Sequence, residues 1–223
     1  MKKILIVLTN QKIIGNNSKE TGFHFSEFSH AYEFFKDHSY GVVVGSPLGG
    51  ESPITSPHPE DAINARFYSS PGKMKIVKKT VKLDQLIHEK FDGVYFAGGH
   101  GTMVDFPNNP TIESIVNQTI MNGGIIGAVC QGPAAFVGMK NPGGKYVVDG
   151  KRVNSFTNEE EKKTPYYGDV PFYLESKLVE QGGSFESSPP RVGHVAIDAP
   201  LVTGQNPESV DFVVAAMHTL LQK

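Results

Sequence analysis

The chain has 223 residues, of which 39% are hydrophobic and 20% charged, and its formal net charge is −2. This composition is typical of a soluble globular protein with one substantial core or at most two small domains. The lysines and arginines are scattered and no apolar run is long enough to span a membrane, so the sequence favours neither a nucleic-acid nor a membrane partner. A single cysteine excludes an intramolecular disulfide and fits a reducing cytosol, which predicts a cytoplasmic protein.

The predicted elements alternate between strands and helices, which is typical of an α/β fold with a mainly parallel sheet. In chain order, the pattern predicts strand 4–8, helix 21–38, strand 40–46, helix 83–89, strand 93–97, helix 111–122, strand 125–129, strand 151–156, helix 171–181, strand 194–197 and helix 207–221. Residues 52–72 are rich in proline and are predicted to form a surface excursion. We therefore expect one domain over residues 1–223, with an excursion near 52–72.

Cys130 follows the predicted strand 125–129 at the start of a glycine-rich turn. Gly132 permits a sharp turn, and Pro133 suits the first turn of a helix. The thiol is thus predicted to stand at a helix N-terminus, where the dipole lowers the thiol pKa and favours the nucleophilic thiolate. The same strand-turn-helix pattern presents nucleophiles in other α/β enzymes. The alternative is that Cys130 is simply a small buried hydrophobe.

The glycine-rich turn at 98–101 follows strand 93–97 and contains His100. Because the carboxyl ends of parallel strands meet at one sheet edge, we expect this turn to lie beside Cys130. Its glycines would let backbone N–H groups approach a substrate oxygen, as in an oxyanion hole. The alternative is that they only reverse the chain.

Glu27 aligns with Phe23, Ala31 and Phe34 on the wheel of the first predicted helix. A carboxyl group at the edge of an aromatic face is desolvated, which raises its pKa, and a protonated carboxyl can donate a hydrogen bond to a thiolate. The alternative is a solvated glutamate on the helix flank.

Six segments together resemble the ThiJ/PfpI superfamily, of the class I glutamine amidotransferase-like fold, and in particular its heat-shock glyoxalase III-like branch. They are Thr21-Gly22 with Glu27, Ser46-Pro47 with Gly49-Gly50, and residues 96–107, 128–134, 156–161 and 201–207. The resemblance implies a flavodoxin-like sandwich with helices on both faces of the sheet, often as a homodimer. It also implies activities such as cofactor-free conversion of methylglyoxal to D-lactate, protein deglycation, holdase chaperoning and an oxidative-stress response.

The resemblance also implies roles for individual residues. Cys130 would be the nucleophile and Glu27 its hydrogen-bonding partner and proton shuttle. Gly99 and the backbone N–H of Gln131 would stabilise the oxyanion. The substrate would be a small 2-oxoaldehyde, captured as a hemithioacetal and released as a 2-hydroxy acid with no metal and no other cofactor.

The sequence departs from that branch directly after the cysteine, where His is usual and Gln131 stands here. Glutamine neither takes nor gives a proton near neutral pH, so the glyoxalase activity is expected to be weakened. His100 is the histidine that the motif places at the Cys130 sheet edge, and it is the candidate for proton transfer. The three glutamates Glu159, Glu160 and Glu161 are expected to form a solvated helix start with no imidazole beside them.

Two other functions stay open at this stage. A redox-sensing stress protein or holdase chaperone would act through oxidation of Cys130 to sulfenic or sulfinic acid. An amidase or peptidase of the same superfamily would need a base near Cys130.

Overall fold

A computed structural model, which describes residues 1–16 and 18–223, has a seven-stranded sheet at its centre. Its strands are β1 (Lys3–Val7), β2 (Gly41–Ser46), β3 (Val81–Lys82), β4 (Gly93–Phe96), β5 (Ile125–Val129), β6 (Val195–Asp198) and β7 (Leu201–Gly204). The order across the sheet is β6-β7-β5-β4-β1-β2-β3, and its neighbours are parallel except for β6 and β7. The predicted flavodoxin-like α/β fold with a mainly parallel sheet is confirmed.

Helices surround this sheet. The α-helices are α1 (Phe25–Asp37), α2 (Ala62–Tyr68), α3 (Pro71–Lys78), α4 (Thr102–Asp105), α5 (Pro110–Met121), α6 (Asn158–Glu161), α7 (Leu174–Glu180) and α8 (Val210–Leu221). Short 3₁₀ helices span Leu83–Gln85, Gly132–Phe136 and Pro207–Ser209. Among the residues that the structure describes, none of the helices combines the length and the apolar character needed to cross a bilayer.

Two apolar layers cover the two faces of the sheet. On β1, Ile4 and Ile6 belong to the layer that contains the buried side chains of α1 and α8, whereas Leu5 and Val7 belong to the layer that contains those of α5. A parallel strand that is covered on both faces has this continuous apolar sequence. Truncation of a fully buried side chain such as Ile6 to alanine costs about 2–5 kcal/mol, which is why the core positions the sheet edge firmly.

The first helix begins at Phe25, four residues later than the periodicity predicts. Phe23–His24 is instead a short strand that pairs with Ile54–Thr55, and the N–H of Phe23 donates to the carbonyl of Pro53 at 2.9 Å. Gly22 lies so close to Pro53 that a Cβ would collide with its backbone. This tertiary contact overrides the local helical pattern.

Residues 52–72 contain more regular structure than the sequence predicts. Helix α2 lies within this stretch, and Asp61 caps it by accepting two N–H groups of its first turn at 2.9 Å each. Phe67 of α2 is fully buried, with its ring edge-on to Phe25 and Phe28. The aromatic packing therefore holds the stretch against α1.

Two further elements differ from the prediction near the chain's C-terminal third. The expected strand 151–156 is limited to Arg152–Val153, which pairs with Ser184–Phe185 outside the central sheet. Strand β7 is not in the prediction, and it forms an antiparallel hairpin with β6. Its run of four residues is too short for periodicity to separate from a loop.

Candidate active site

Cys130 lies at the sharp turn directly after β5. Its φ of +59° is in the left-handed region, which a non-glycine residue adopts only when its surroundings hold it there. The N–H of Cys130 donates to the carbonyl of Gly204 at 2.9 Å, and its own carbonyl accepts from the N–H of Phe156 at 2.8 Å. The predicted elbow is confirmed, and its backbone is fixed on both sides.

The expected lowering of the thiol pKa is wrong. Cys130 is only 3% exposed, and burial raises the pKa of its thiol well above the usual range. Negative charge on Glu27 acts in the same direction, and the backbone N–H of Gln131 opposes it. The turn leads into a short 3₁₀ helix, Gly132–Phe136, rather than a long α-helix, so it offers little dipole to offset the desolvation.

The side chain of Gln131 lies between the thiol and the glycine-rich turn. Its Oε1 is 2.9 Å from the Sγ of Cys130 and accepts the N–H of Gly99 at 3.1 Å. Its Nε2 is 3.4 Å from the Nε2 of His100. The expected oxyanion donor on Gly99 is therefore engaged by the same amide oxygen that contacts the sulfur.

Glu27 is fully buried at the start of α1. Its Oε2 accepts the N–H of Gly98 at 2.6 Å, while its Oε1 has no hydrogen-bond partner within the described part of the chain. Burial raises the pKa of Glu27 to about 8, against the opposing effects of Gly98 and the Cys130 side chain. The desolvated carboxyl expected from the sequence is confirmed, and it keeps its proton at neutral pH.

His24 forms part of the wall beside Glu27. Its Nδ1 is 3.9 Å from the Oε1 of Glu27, and its ring centroid is 5.4 Å from that of His58. Burial, followed by the charges of neighbouring histidines, lowers the pKa of His24 to about 4, so the imidazole is neutral. His30, the other histidine that flanks Glu27, is instead 3.1 Å from Asp61.

His100 forms a buried pair with Glu161. Its Nε2 lies 2.9 Å and 3.1 Å from the two carboxylate oxygens. Thr164 Oγ1 donates to Glu161 Oε1 at 2.8 Å, and the ring of Tyr166 stacks on the imidazole at 4.2 Å. The expectation that no imidazole stands beside the three glutamates is therefore wrong for Glu161.

The three glutamates have three different environments. Glu159 is exposed and pairs with Lys163 at 3.0 Å, as a solvated helix start would. Glu160 and Glu161 are only 4% and 5% exposed, because Glu160 is covered by the loops around residues 191 and 206 and Glu161 packs against His100. The sequence does contain one signal for Glu160, since Thr157 and Glu160 have the spacing of a capping box, and both of its hydrogen bonds form. Nothing in the sequence indicated Thr164 or Tyr166.

Glu160 accepts hydrogen bonds from several loops at once. Oε1 accepts from the N–H of Arg191 and the Nδ2 of Asn206, both at 2.9 Å. Oε2 accepts from the N–H and Oγ1 of Thr157, at 3.1 Å and 2.9 Å, and from Gln205 Nε2 at 3.1 Å. These contacts join α6 to the loops around residues 191 and 206.

A cavity of about 770 Å³ opens above the elbow. Cys130, Gln131, Gly99 and His100 line it together, and His24 and Tyr166 form other parts of its wall. Residues 55, 56 and 58 of the Pro-rich stretch also line it. Within residues 1–16 and 18–223, no three His, Cys, Asp or Glu side chains converge in a geometry that could hold a metal ion. The arrangement can supply a thiol, a protonated carboxyl group and an imidazole to a small ligand.

The family model of the DJ-1/PfpI family matches residues 20–219 of this chain. The glutathione-independent glyoxalase hsp3102 of Schizosaccharomyces pombe is 29% identical over 212 residues, which cover 86% of each chain. Glyoxalase 3 of Candida albicans is 27% identical over 231 residues, or 94% of each chain. The crystal structure of the 24 kDa Rapid Encystment Protein of Francisella tularensis superposes with a TM-score of 0.94 at 37% identity, over 99% of both chains. The predicted resemblance to the ThiJ/PfpI superfamily is confirmed.

Proposed function

The chain belongs to the DJ-1/PfpI family, and on that premise we propose that it is a cysteine-dependent, cofactor-free enzyme of the glyoxalase III type that converts methylglyoxal to D-lactate. The observation that carries the proposal is that Cys130 and His100 line one cavity, with the protonated Glu27 beside the Cys130 side chain and Glu161 paired with His100. The names of the yeast relatives support a small dicarbonyl substrate.

The first step is addition of the Cys130 sulfur to the aldehyde carbon of a 2-oxoaldehyde. An S–C bond forms and the carbonyl π bond breaks. Glu27 gives its proton to the aldehyde oxygen and takes the proton of the thiol, so that the hemithioacetal forms with no net change in protons. A carboxyl group that stays protonated at neutral pH suits this exchange, because it can donate to oxygen while the sulfur is still a thiol.

The second step moves the aldehyde hydrogen of the hemithioacetal to the neighbouring carbon. A base removes this proton from the first carbon, and the resulting enediol is protonated at the second carbon, which leaves a thioester of the 2-hydroxy acid. Water then cleaves the thioester, releases the 2-hydroxy acid and returns the thiol. Glu27 is protonated again at the end of the first step, so we assign both the carbon-to-carbon proton transfer and the activation of water to His100, whose carboxylate partner Glu161 orients the imidazole.

Developing negative charge on the substrate oxygen needs donors in a dry environment. The N–H groups of Gly99 and Gln131 are the candidates, because that of Gln131 faces the Cys130 sulfur and that of Gly99 donates to the Gln131 oxygen that contacts the sulfur. Donors of this kind typically contribute about 10²–10³-fold to the rate. His100 supplies an imidazole from the glycine-rich turn, at a site where the related branch has one directly after the cysteine.

The test is the loss of methylglyoxal without glutathione, with stereospecific detection of D-lactate, in wild type and Cys130→Ser. We expect turnover by the wild type and none by the serine variant, whose hydroxyl is a far weaker nucleophile. Glu159→Gln is the matched control, because Glu159 is exposed on the helix that carries Glu161 and should leave turnover unchanged. Lactate of the opposite hand would contradict the proposed product.

Absence of turnover in the wild type would contradict the enzyme proposal and favour a redox or chaperone role for Cys130. The same outcome with hydrolysis of an amide substrate would favour the amidase alternative. From the resemblance we further propose a homodimer, and from the single cysteine a cytoplasmic location; analytical ultracentrifugation and cell fractionation would test them.

A further inference from the structure

The amide of Gln131 does not simply fill the place of a missing imidazole. Its Oε1 is within hydrogen-bond distance of both the nucleophilic sulfur, at 2.9 Å, and the N–H of Gly99, at 3.1 Å. A carbonyl oxygen held against an oxyanion donor, beside the nucleophile, occupies the place that a substrate carbonyl oxygen would take. We propose that the Gln131 side chain occupies the site of the substrate carbonyl group in the free protein. In this position the amide holds Cys130 as a thiol, and it must rotate away before substrate binds.

The orientation of the amide follows from its neighbours. Gly99 presents an N–H, so the amide atom that faces it must be the acceptor oxygen and not the NH₂ group. The same oxygen has no proton to give to sulfur. It therefore accepts from the S–H of Cys130 and stabilises the thiol over the thiolate.

The other end of the amide is held more loosely. Its Nε2 is 3.4 Å from His100 Nε2, a nitrogen that already lies 2.9 Å from Glu161. When the proton on His100 Nε2 points at Glu161, His100 Nε2 and Gln131 Nε2 are both hydrogen-bond donors, so the contact between them is not attractive. The side chain is thus fixed mainly through its oxygen.

The backbone of Gln131 stays in place when the side chain rotates. Its carbonyl accepts from Thr102 Oγ1 at 3.0 Å and from the N–H of Ala134 at 2.9 Å. Only the side chain needs to move, and it lines a cavity of about 770 Å³ that has room for both the rotated amide and a small 2-oxoaldehyde. Rotation would free the N–H of Gly99 and uncover the sulfur towards His100.

The catalytic part of this inference rests on the proposed function, whereas the contact with the thiol is tested without turnover. The measurement is the rate of Cys130 alkylation by iodoacetamide between pH 6 and pH 10, followed by intact-protein mass spectrometry. The variants are Gln131→Met, which keeps the length and removes the amide, Gln131→Ala, and Gln131→Glu, which keeps an acceptor. Thr55→Ala is the matched control, because it trims another part of the same cavity wall.

We expect Gln131→Met and Gln131→Ala to alkylate about tenfold faster at pH 7, because they lose one hydrogen bond that favours the thiol. Gln131→Glu should alkylate more slowly than wild type, and Thr55→Ala at the wild-type rate. Met and Ala variants that react no faster than wild type overturn the inference. Equal acceleration in Thr55→Ala also overturns it, because access alone would then explain the effect.

Steady-state kinetics test the displacement by substrate. If the amide competes for the site of the substrate oxygen, the KM for methylglyoxal falls about tenfold in Gln131→Met, because the open form no longer has to be populated. An unchanged KM overturns the proposal that the Gln131 amide occupies the site of the substrate carbonyl group. Faster alkylation with no turnover in any variant, wild type included, contradicts the proposed function and supports the Gln131 contact.

Discussion

Two of the buried carboxyl groups near the elbow, those of Glu160 and Glu27, have opposite surroundings. Glu160 accepts five hydrogen bonds from four residues, spread over both of its oxygens. Glu27 is at least as deeply buried, yet it accepts one N–H, that of Gly98, and leaves Oε1 without a hydrogen-bond partner among the described residues. The protein thus satisfies one carboxyl completely and leaves the other short of donors.

The difference separates a structural group from a reactive one. A carboxylate that accepts several N–H and O–H donors is stable in its charged form and anchors the segments that donate to it. A carboxyl group with a single donor in a dry site holds its proton instead, and the pKa of Glu27 is raised to about 8 by this burial. The free oxygen lies beside the nucleophilic elbow, where a proton can be used in chemistry.

Glu27→Gln should give the largest effect. The amide can still accept the N–H of Gly98, but it has no transferable proton, so methylglyoxal turnover should fall about 10³-fold. At pH 4, where the group is largely protonated in both the folded and the unfolded state, stability should change by less than about 1 kcal/mol, because a neutral group replaces a neutral group. Urea unfolding and steady-state rates on the same preparation check both statements. Retention of more than a tenth of the activity would contradict the role of Glu27.

The next largest effect should be on the pH dependence of the free energy of unfolding, which distinguishes Glu27 from Glu160. Glu27 has an ordinary pKa of 4.5 when unfolded and about 8 when folded, so between these pH values the folded state binds more protons than the unfolded state. Its contribution therefore favours the folded state at low pH, is lost as pH rises towards 8, and is constant above that. The free energy of unfolding of Glu27→Gln relative to wild type should rise by up to about 4 kcal/mol from pH 5 to pH 9.

The measurement is a series of urea titrations of both proteins at fixed ionic strength. Using the difference between variant and wild type removes the contribution of other titrating groups, including Asp105, whose burial raises its pKa to about 6. Parallel curves for the two proteins would show that Glu27 titrates alike in the folded and unfolded states.

Glu160→Ala tests the structural member of the pair. The change leaves the N–H of Arg191 and the amides of Asn206 and Gln205 without their acceptor, so stability should fall by about 3 kcal/mol. Gln131, His100 and Cys130 keep their own contacts, so the kcat of the folded fraction should stay within about threefold of wild type. Thermal unfolding measures the loss of stability, and active-site titration by alkylation gives the concentration of folded enzyme that is needed to calculate kcat. A large loss of kcat with unchanged stability would reverse the assignment of the two carboxyl groups.

The features of Cys130 and Glu27 that depend on local sequence pattern could be predicted from the sequence. The elbow at Cys130 follows from a short apolar strand before glycine and proline, and the desolvation of Glu27 is predicted from its apolar neighbours in the sequence, although Phe23 lies outside the helix. The thiol pKa could not be predicted, because desolvation and the Gln131 oxygen depend on tertiary packing. The His100–Glu161 pair joins residues 61 positions apart and has no local signature.

The late start of α1 could not be predicted either, because it also depends on tertiary contacts. Its periodicity predicts a helix from Thr21, but the contact of Gly22 and Phe23 with Pro53 keeps these residues extended. That pairing also positions His24 on the cavity wall. Single-sequence patterns specify elements well and their long-range partners poorly, and both sides of this active site depend on such partners.

Tyr166→Phe should give the smallest effect, and it tests whether Tyr166 contributes to catalysis or only to stability. The hydroxyl donates to the carbonyl of Glu20 at 2.9 Å, whereas the ring stacks on His100 at 4.2 Å. Loss of one exposed hydrogen bond should cost about 0.5–1 kcal/mol and lower Tm by about 2 °C, with kcat within about twofold of wild type. Tyr166→Ala, which also removes the stacked ring, should lower kcat several-fold more and change its pH profile, because the imidazole then loses one of the contacts that orient it. Equal kinetics for the two variants would assign Tyr166 to the scaffold, together with Glu160.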